Sequence, residues 1–223
     1  MKRVLIIAAV LGCSLAAQAG LIIDQTVNTA IPDGDLSVIG TQVTVSGQSG
    51  TIGDITIGLD ISGSYNGDLY AYVEHDNQIA ILLNRVGTTT TDNLGYSDSG
   101  LNVIFQNGAP NIHTYQQNPG YTGGTLTGTW GADGRAVSPL LVNGTEPVTE
   151  TLSSFLGADA NGAWTLFVAD ANGGDLNNLV SWSVNVSMVP ESGWFGAGAV
   201  VVSLLVTIRS VRPRKQAVAL ARL

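Results

Sequence analysis

Asp68 and Asp175 each follow a glycine and precede a leucine, in Gly67-Asp68-Leu69 and Gly174-Asp175-Leu176, and Asp170 stands shortly before the second triplet. Carboxylates on neighbouring turns are calcium chemistry: the ion takes roughly six to eight oxygens from acids, carbonyls and water. Asp68, Asp170 and Asp175 are therefore the metal candidates, with Asp33, Asp35 and Asp98 behind them. The competing reading is that aspartates cap turns and solubilise an exported surface. Zinc is not indicated, because Cys13, His75 and His113 are too few and too scattered for a ligand motif.

Other reactive residues lack the settings that catalysis needs. His75 opens the turn sequence His75-Asp76-Asn77, and His113 lies in an irregular stretch. Gly95-Tyr96-Ser97-Asp98-Ser99 approaches a nucleophile elbow, but Ser99 replaces the final glycine and a strand sequence follows instead of a helix. It reads as a turn, and the chain reads as non-catalytic. Tyr70 and Tyr72 share the outer face of one strand. They are the platform for an alternative function, carbohydrate binding in an exopolysaccharide; the rival reading is cross-strand packing. Trp130, Trp164 and Trp182 sit among apolar residues and are assigned to the core.

The elements that would position these residues are strands. Ile55, Ile57, Leu59 and Ile61 alternate with polar residues or glycine. Leu69, Ala71 and Val73 do the same, as do Val180, Trp182, Val184 and Val186. Period-two alternation marks half-buried strands. Shorter candidates are 42–45, 79–83, 101–105, 126–130 and 164–168. Glycine-rich breaks separate them, and no long stretch has a helical period. The expectation is an all-β, jelly-roll β-sandwich of eight or nine strands. Residues 107–147 are expected to form loop around a short hairpin. Gly-Asp-Leu also occurs at Gly34–Leu36; the unequal spacings indicate shared turn chemistry, not a repeat.

Charge divides the chain in three. Of nine Lys and Arg, only Arg85 and Arg135 fall within 20–188, against every acid except Glu191. So acidic a body excludes nucleic-acid binding. Residues 1–19 read as an export signal: Lys2 and Arg3, the apolar run Val4 to Leu11, then Ala17-Gln18-Ala19, with cleavage after Ala19. Cys13 offers a lipoprotein alternative, with Leu11 where a small residue is usual. Residues 192–208 carry no charge, and a helix over them would span roughly 26 Å, close to a ~30 Å hydrocarbon core. Arg209, Arg212, Arg214 and Lys215 follow as a membrane-stop cluster that keeps this end cytoplasmic.

Two resemblances complete the reading. Val189-Pro190-Glu191, an apolar segment and a basic end resemble the PEP-CTERM sorting signal, with Ser192 where the motif has proline. That likeness implies an exosortase-type processing partner, passage through the inner membrane, and release to the cell envelope or beyond. The body resembles the P domain (P/Homo B) that accompanies kexin- and furin-like subtilases. The likeness rests on Ser64-Tyr65-Asn66-Gly67-Asp68-Leu69, on Phe155-Leu156-Gly157 with Gly162-Ala163-Trp164-Thr165-Leu166, and on Asp170, Gly174-Asp175 and Leu179-Val180-Ser181-Trp182-Ser183-Val184. Asn177 stands where the family often has glycine, and is expected to hold a positive-φ turn. The resemblance implies a jelly roll acting as a structural or interaction module. Peptidase activity would belong to the domain's usual catalytic neighbour, for which the chain has no room.

Overall fold

The computed structural model describes residues 20–190. The export signal, Glu191, the apolar segment 192–208 and the basic cluster from Arg209 to Lys215 lie outside the described residues. Among those described, no helix is long and apolar enough to cross a membrane.

Nine strands form: β1 (Leu21–Ile31), β2 (Asp35–Val45), β3 (Thr51–Gly63), β4 (Leu69–His75), β5 (Gln78–Asn84), β6 (Leu101–Gln106), β7 (Leu126–Trp130), β8 (Gly162–Asp170) and β9 (Asn177–Val189). Short 3-10 turns at Asn66–Asp68, Ile112–Gln117 and Leu152–Phe155 are the only helical pieces described. One sheet has the order β1-β9-β3-β6-β7, the other β2-β8-β4-β5. All neighbours are antiparallel except β6 and β7. With β7 set aside, the chain crosses from sheet to sheet at every connection except the β4–β5 hairpin, in a double Greek-key wrap. The last two strands each insert between earlier ones: β8 between β2 and β4, β9 between β1 and β3.

The alternation read from the sequence builds the core. Ile55, Ile57, Leu59 and Ile61 of β3 are buried, as are Leu69, Ala71 and Val73 of β4 and Trp164, Leu166 and Val168 of β8. Trp130, Trp164 and Trp182 all join this core. In β9 the expected set needs correction. Asp60 pairs with Ser181 and Ile61 with Leu179, so Val180 is an extra residue. The bulge turns Leu179 inward and leaves Val180 half-buried, where strict alternation from Trp182 would have buried Val180.

Two other expectations are corrected. Strand β1 was not expected, and β2 starts well before residue 42. The stretch after residue 107 contains no hairpin: β7 pairs in parallel with β6, Leu101 opposite Leu126 through Phe105 opposite Trp130. Parallel neighbours need a long crossover. The connection 107–125, with its 3-10 turn, supplies it.

The rest of the irregular region covers a sheet edge. Ile81 N–H donates to Glu150 O at 2.8 Å, and Gly134 and Asp133 N–H donate to Ile81 and Leu82 O at 2.9 and 3.1 Å. This shields β5, so Ala80 to Leu83 are buried on both faces. Beneath the cover lies an ionic chain. Asp133 meets His113 Nδ1 through Oδ2 at 2.7 Å and Arg135 Nη1 through Oδ1 at 3.0 Å, and Arg135 Nε lies 3.9 Å from Glu146.

Register gives a direct test on β6, where Phe105 is 0% exposed and Ile104 is 49% exposed. Phe105→Ala is expected to cost about 3–5 kcal/mol, while Ile104→Ala stays within about 0.5 kcal/mol. Urea unfolding of both variants checks this; equal losses would mean that the strand's faces are misassigned.

Candidate functional site

Six strand ends, of β1, β2, β3, β4, β8 and β9, converge at one end of the sandwich, and three Gly-Asp-Leu triplets lead into strands there. Gly34-Asp35-Leu36 enters β2, Gly67-Asp68-Leu69 enters β4, and Gly174-Asp175-Leu176 precedes β9. Asp170, last in β8, is paired with Asp35 on one side and Leu69 on the other. Asn177, first in β9, is paired with Ile31 and Gly63. Asn177 Nδ2 donates to Asp170 Oδ2 at 2.8 Å, so one hydrogen bond joins an inner strand of one sheet to an inner strand of the other.

Asp68 stands against Asp170: Ala171 N–H donates to Asp68 O at 2.8 Å. Both carboxylates are sealed, at 1% and 0% exposure. Asp170 Oδ1 accepts from Asn172 N–H at 3.1 Å. Asp68 Oδ1 has no hydrogen-bond donor, and Arg85 Nη2 lies 3.8 Å away. Burial, then the neighbouring Asp170, pushes Asp68 from 3.8 up to about 6. Asp170 is also raised, by burial, against the pull of Asn177 and Asn172. Asp175 is turned aside, accepting from Ser64 Oγ at 2.7 Å, and Asp33 accepts from Gly174 N–H at 3.0 Å. Thus the turns of Asp68, Asp170 and Asp175 do meet at one end. The tight pair is Asp68 with Asp170, and among the described residues no three acid or histidine side chains enclose a metal by themselves.

The sequence reading missed Ser64, Arg85 and Asn177 here. Asn177 is not the positive-φ turn residue expected of it; it lies in β9, buried, and acts through its amide. Gly67 is required by packing: a Cβ there would come within 2.4 Å of Leu94 O. That close approach lets Gly67 N–H donate to Tyr96 O at 2.8 Å, which seats the 94–98 loop. The would-be elbow is this loop. Its Ser97 is exposed, and its Asp98 accepts from the Tyr115 hydroxyl at 2.8 Å.

Both histidines are held in the frame. His75 ends β4 buried, not in the turn itself, and stacks on Trp164 with ring centroids 3.9 Å apart. Its nitrogens meet Ala163 O at 2.9 Å and Asp159 O at 2.7 Å. His113 sits between Asp133 and Thr88 O, the latter at 2.9 Å. Every one of these partners is a carbonyl or carboxylate oxygen, and none is a hydroxyl.

Tyr70 and Tyr72 do share a face of β4, with ring centroids 5.6 Å apart. Tyr72 is also stacked on Phe167 of β8, with ring centroids 4.7 Å apart and an interplanar angle of 19°. Val189 ends β9 opposite Thr51, and Pro190 is the last described residue of the sorting motif.

Two measurements probe this end and the ionic chain. In chelator, the Asp68 shift means that the folded state holds the proton more tightly than the unfolded chain. Its contribution to stability is full below about 3.8 and is lost as pH rises through about 6. Asp68→Asn is expected to remove this falling slope; a variant whose urea midpoint tracks the parent between pH 4 and 7 contradicts it. Asp133→Asn strips the buried anion from His113 and Arg135 and is expected to cost about 3–5 kcal/mol in the same assay.

No protein-family model and no curated protein sequence matches this chain. Among solved structures, the chain is similar to the serine protease of Aeromonas sobria in complex with the chaperone ORF2, at TM-score 0.41 and 15% identity over 76% of this chain. It is also similar to the serine protease of Aeromonas sobria alone, at TM-score 0.39 and 14% identity over 76% of this chain. The match spans 27% of the length of each of those proteins.

Proposed function

We propose that this chain is an exported, non-catalytic P-domain-type jelly roll, carried to the cell envelope or extracellular polymer by a PEP-CTERM-like tail and serving there as a structural or interaction module. The observation that carries the non-catalytic part is the state of the two histidines. Each is buried and bracketed by acceptors, and neither ring is hydrogen-bonded to a hydroxyl nucleophile. The jelly-roll assignment is supported by the strand order β1-β9-β3-β6 over β2-β8-β4-β5. The P-domain assignment is supported by the placement of its sequence blocks. Gly67-Asp68-Leu69 enters β4, Gly162-Ala163-Trp164 opens β8, and Leu179 to Val184 lies in β9. The sorting part rests on the sequence of the tail, with an exosortase-type enzyme as processing partner and the membrane as a temporary anchor.

Intact mass of the exported protein tests the route. The expected species begins at Gly20 and lacks Trp194–Leu223. A mature protein that retains the basic end would overturn sorting by cleavage. Peptide or ester hydrolysis by the purified protein, above the rate in buffer, would overturn the non-catalytic reading.

A further inference from the structure

The outer face of the four-stranded sheet carries a cleft. β2, β8 and β4 lie side by side there, and their outward residues fall into two rows. Gly40, Phe167 and Tyr72 form one row; Gln42, Thr165 and Glu74 form the next. Phe167 and Tyr72 are half-buried and stacked, and Tyr70 continues the aromatic run beyond them. Gly40 leaves the β2 side of Phe167 open. A Cβ at Gly40 would meet only the Phe167 ring, at 3.4 and 3.6 Å.

The cleft opens over the second row, with a volume of about 400 Å³, and Gln42, Glu74, Asp76, Ala163, Thr165 and Phe167 are among its walls. Sites for small ligands fall in the range of roughly 300–1,000 Å³. Gln42 Nε2 donates to Thr165 Oγ1 at 3.3 Å, which leaves Gln42 Oε1 to accept and the Thr165 hydroxyl to donate. Glu74 and Asp76 are exposed at the rim, and no lysine or arginine stands against them. Between residues 20 and 190 the only such bases are Arg85 and Arg135, which face Asp68, Asp133 and Glu146. An aromatic wall, a row of neutral donors and acceptors and two unopposed carboxylates complement a sugar ring that carries an amino group. Its C–H face suits Phe167, its hydroxyls suit Gln42 and Thr165, and its ammonium is drawn to the carboxylates and the ring. An extended peptide would add to a sheet edge, whereas β8, beneath this cleft, is paired on both sides and has no free backbone ladder to offer.

We propose that this cleft binds a glycan built of unacetylated amino sugars, as the ligand of the non-catalytic interaction module described above. Phe167, backed by Tyr72, is the stacking platform. Gln42 and Thr165 bond the hydroxyls, and Glu74 with Asp76 holds the ammonium. The same carboxylates select against glycans rich in uronic acids, because like charges brought together disfavour the wrong partner.

The test is isothermal titration of the purified exported protein at mildly acidic pH, where the sugar amines are protonated. The probes are a glucosamine hexamer, its fully N-acetylated form, an oligogalacturonate and hexalysine. Saturable binding of the glucosamine hexamer is expected, about tenfold weaker for the acetylated form, since a charge-assisted bond is lost, and absent for the oligogalacturonate. Glu74→Gln should unfold at the parent's midpoint and lose about tenfold in affinity. Phe167→Ala should abolish binding. No binding of the glucosamine hexamer at millimolar concentration, equal binding of the oligogalacturonate, hexalysine binding as tightly as the sugar, or a Glu74→Gln variant that binds like the parent would each overturn the site and leave the export and non-catalytic readings untouched. Binding accompanied by shortening of the hexamer would instead overturn the non-catalytic reading on which the proposal rests.

Discussion

Everything in this sandwich waits on its last two strands. β8 and β9 are the final elements of the described chain, yet each is the inner strand that joins two earlier ones into a sheet. Without β9, the apolar row of β3 lacks one hydrogen-bonding neighbour, and β1 has none to pair with. Without β8, β2 and β4 are separate edges. Nearly all stabilising contacts are therefore long-range, and such folds close slowly because loop entropy is lost before the pairings repay it. The Asp170–Asn177 bond lies where the two closing strands are nearest in sequence. It ties both sheets at the turn between β8 and β9, which gives a polar pair a structural reason to be buried.

The same constraint explains how a body with two basic side chains tolerates buried acids. The chain surrounds its carboxylates with neutral donors and reserves its arginines. Arg135 is joined with His113 around Asp133, which locks the cover over β5. Arg85 adopts a positive φ of 47°, donates to Gly67 and Asn93, and stands off from Asp68. One irregular segment is thus secured by an ionic chain through Asp133. The opposite treatment is given to the Asp68–Asp170 end, which is left electrically incomplete.

Much of the fold was legible because alternation is a local signal. Ile55 to Ile61 and Leu69 to Val73 announce their faces without any knowledge of their partners. What stayed hidden was tertiary. β1 carries Gln25 and Thr29 along its length and ends exposed, since its one neighbour is β9; its pattern is too polar to stand out. Parallel pairing of β7 depends on where the 107–125 crossover leads, which residue types there do not reveal. The bulge at Val180 is set by β3, whose Asp60 and Ile61 straddle it. The Gly-Asp-Leu triplets, visible in the sequence, lie on turns at one end of the sandwich. The partners Ser64 and Asn177 carried no signal, because Ser and Asn in turns are ordinary. Asp133 and His113 are joined only through the fold.

A non-catalytic reading also follows from how the aromatic and basic groups are committed. A general base needs a free lone pair and room for substrate. His75 has Trp164 against its ring face and carbonyls at both nitrogens, so freeing it would undo the β4 end of the core. His113 underlies the cover segment, where Gly144 packs so closely that a Cβ would lie 2.7 Å from Thr88 O and 3.2 Å from His113 Nε2. Substrate access to either ring would require dismantling the packing that places it. The groups left free to meet a partner are on turns and outer faces: acids at the Asp68 end, and exposed Leu140 and Leu141 at the tip of the cover segment. Sensitivity to solution conditions is concentrated at the Asp68–Asp170 end, where burial and the neighbouring carboxylate raise Asp68 to about 6.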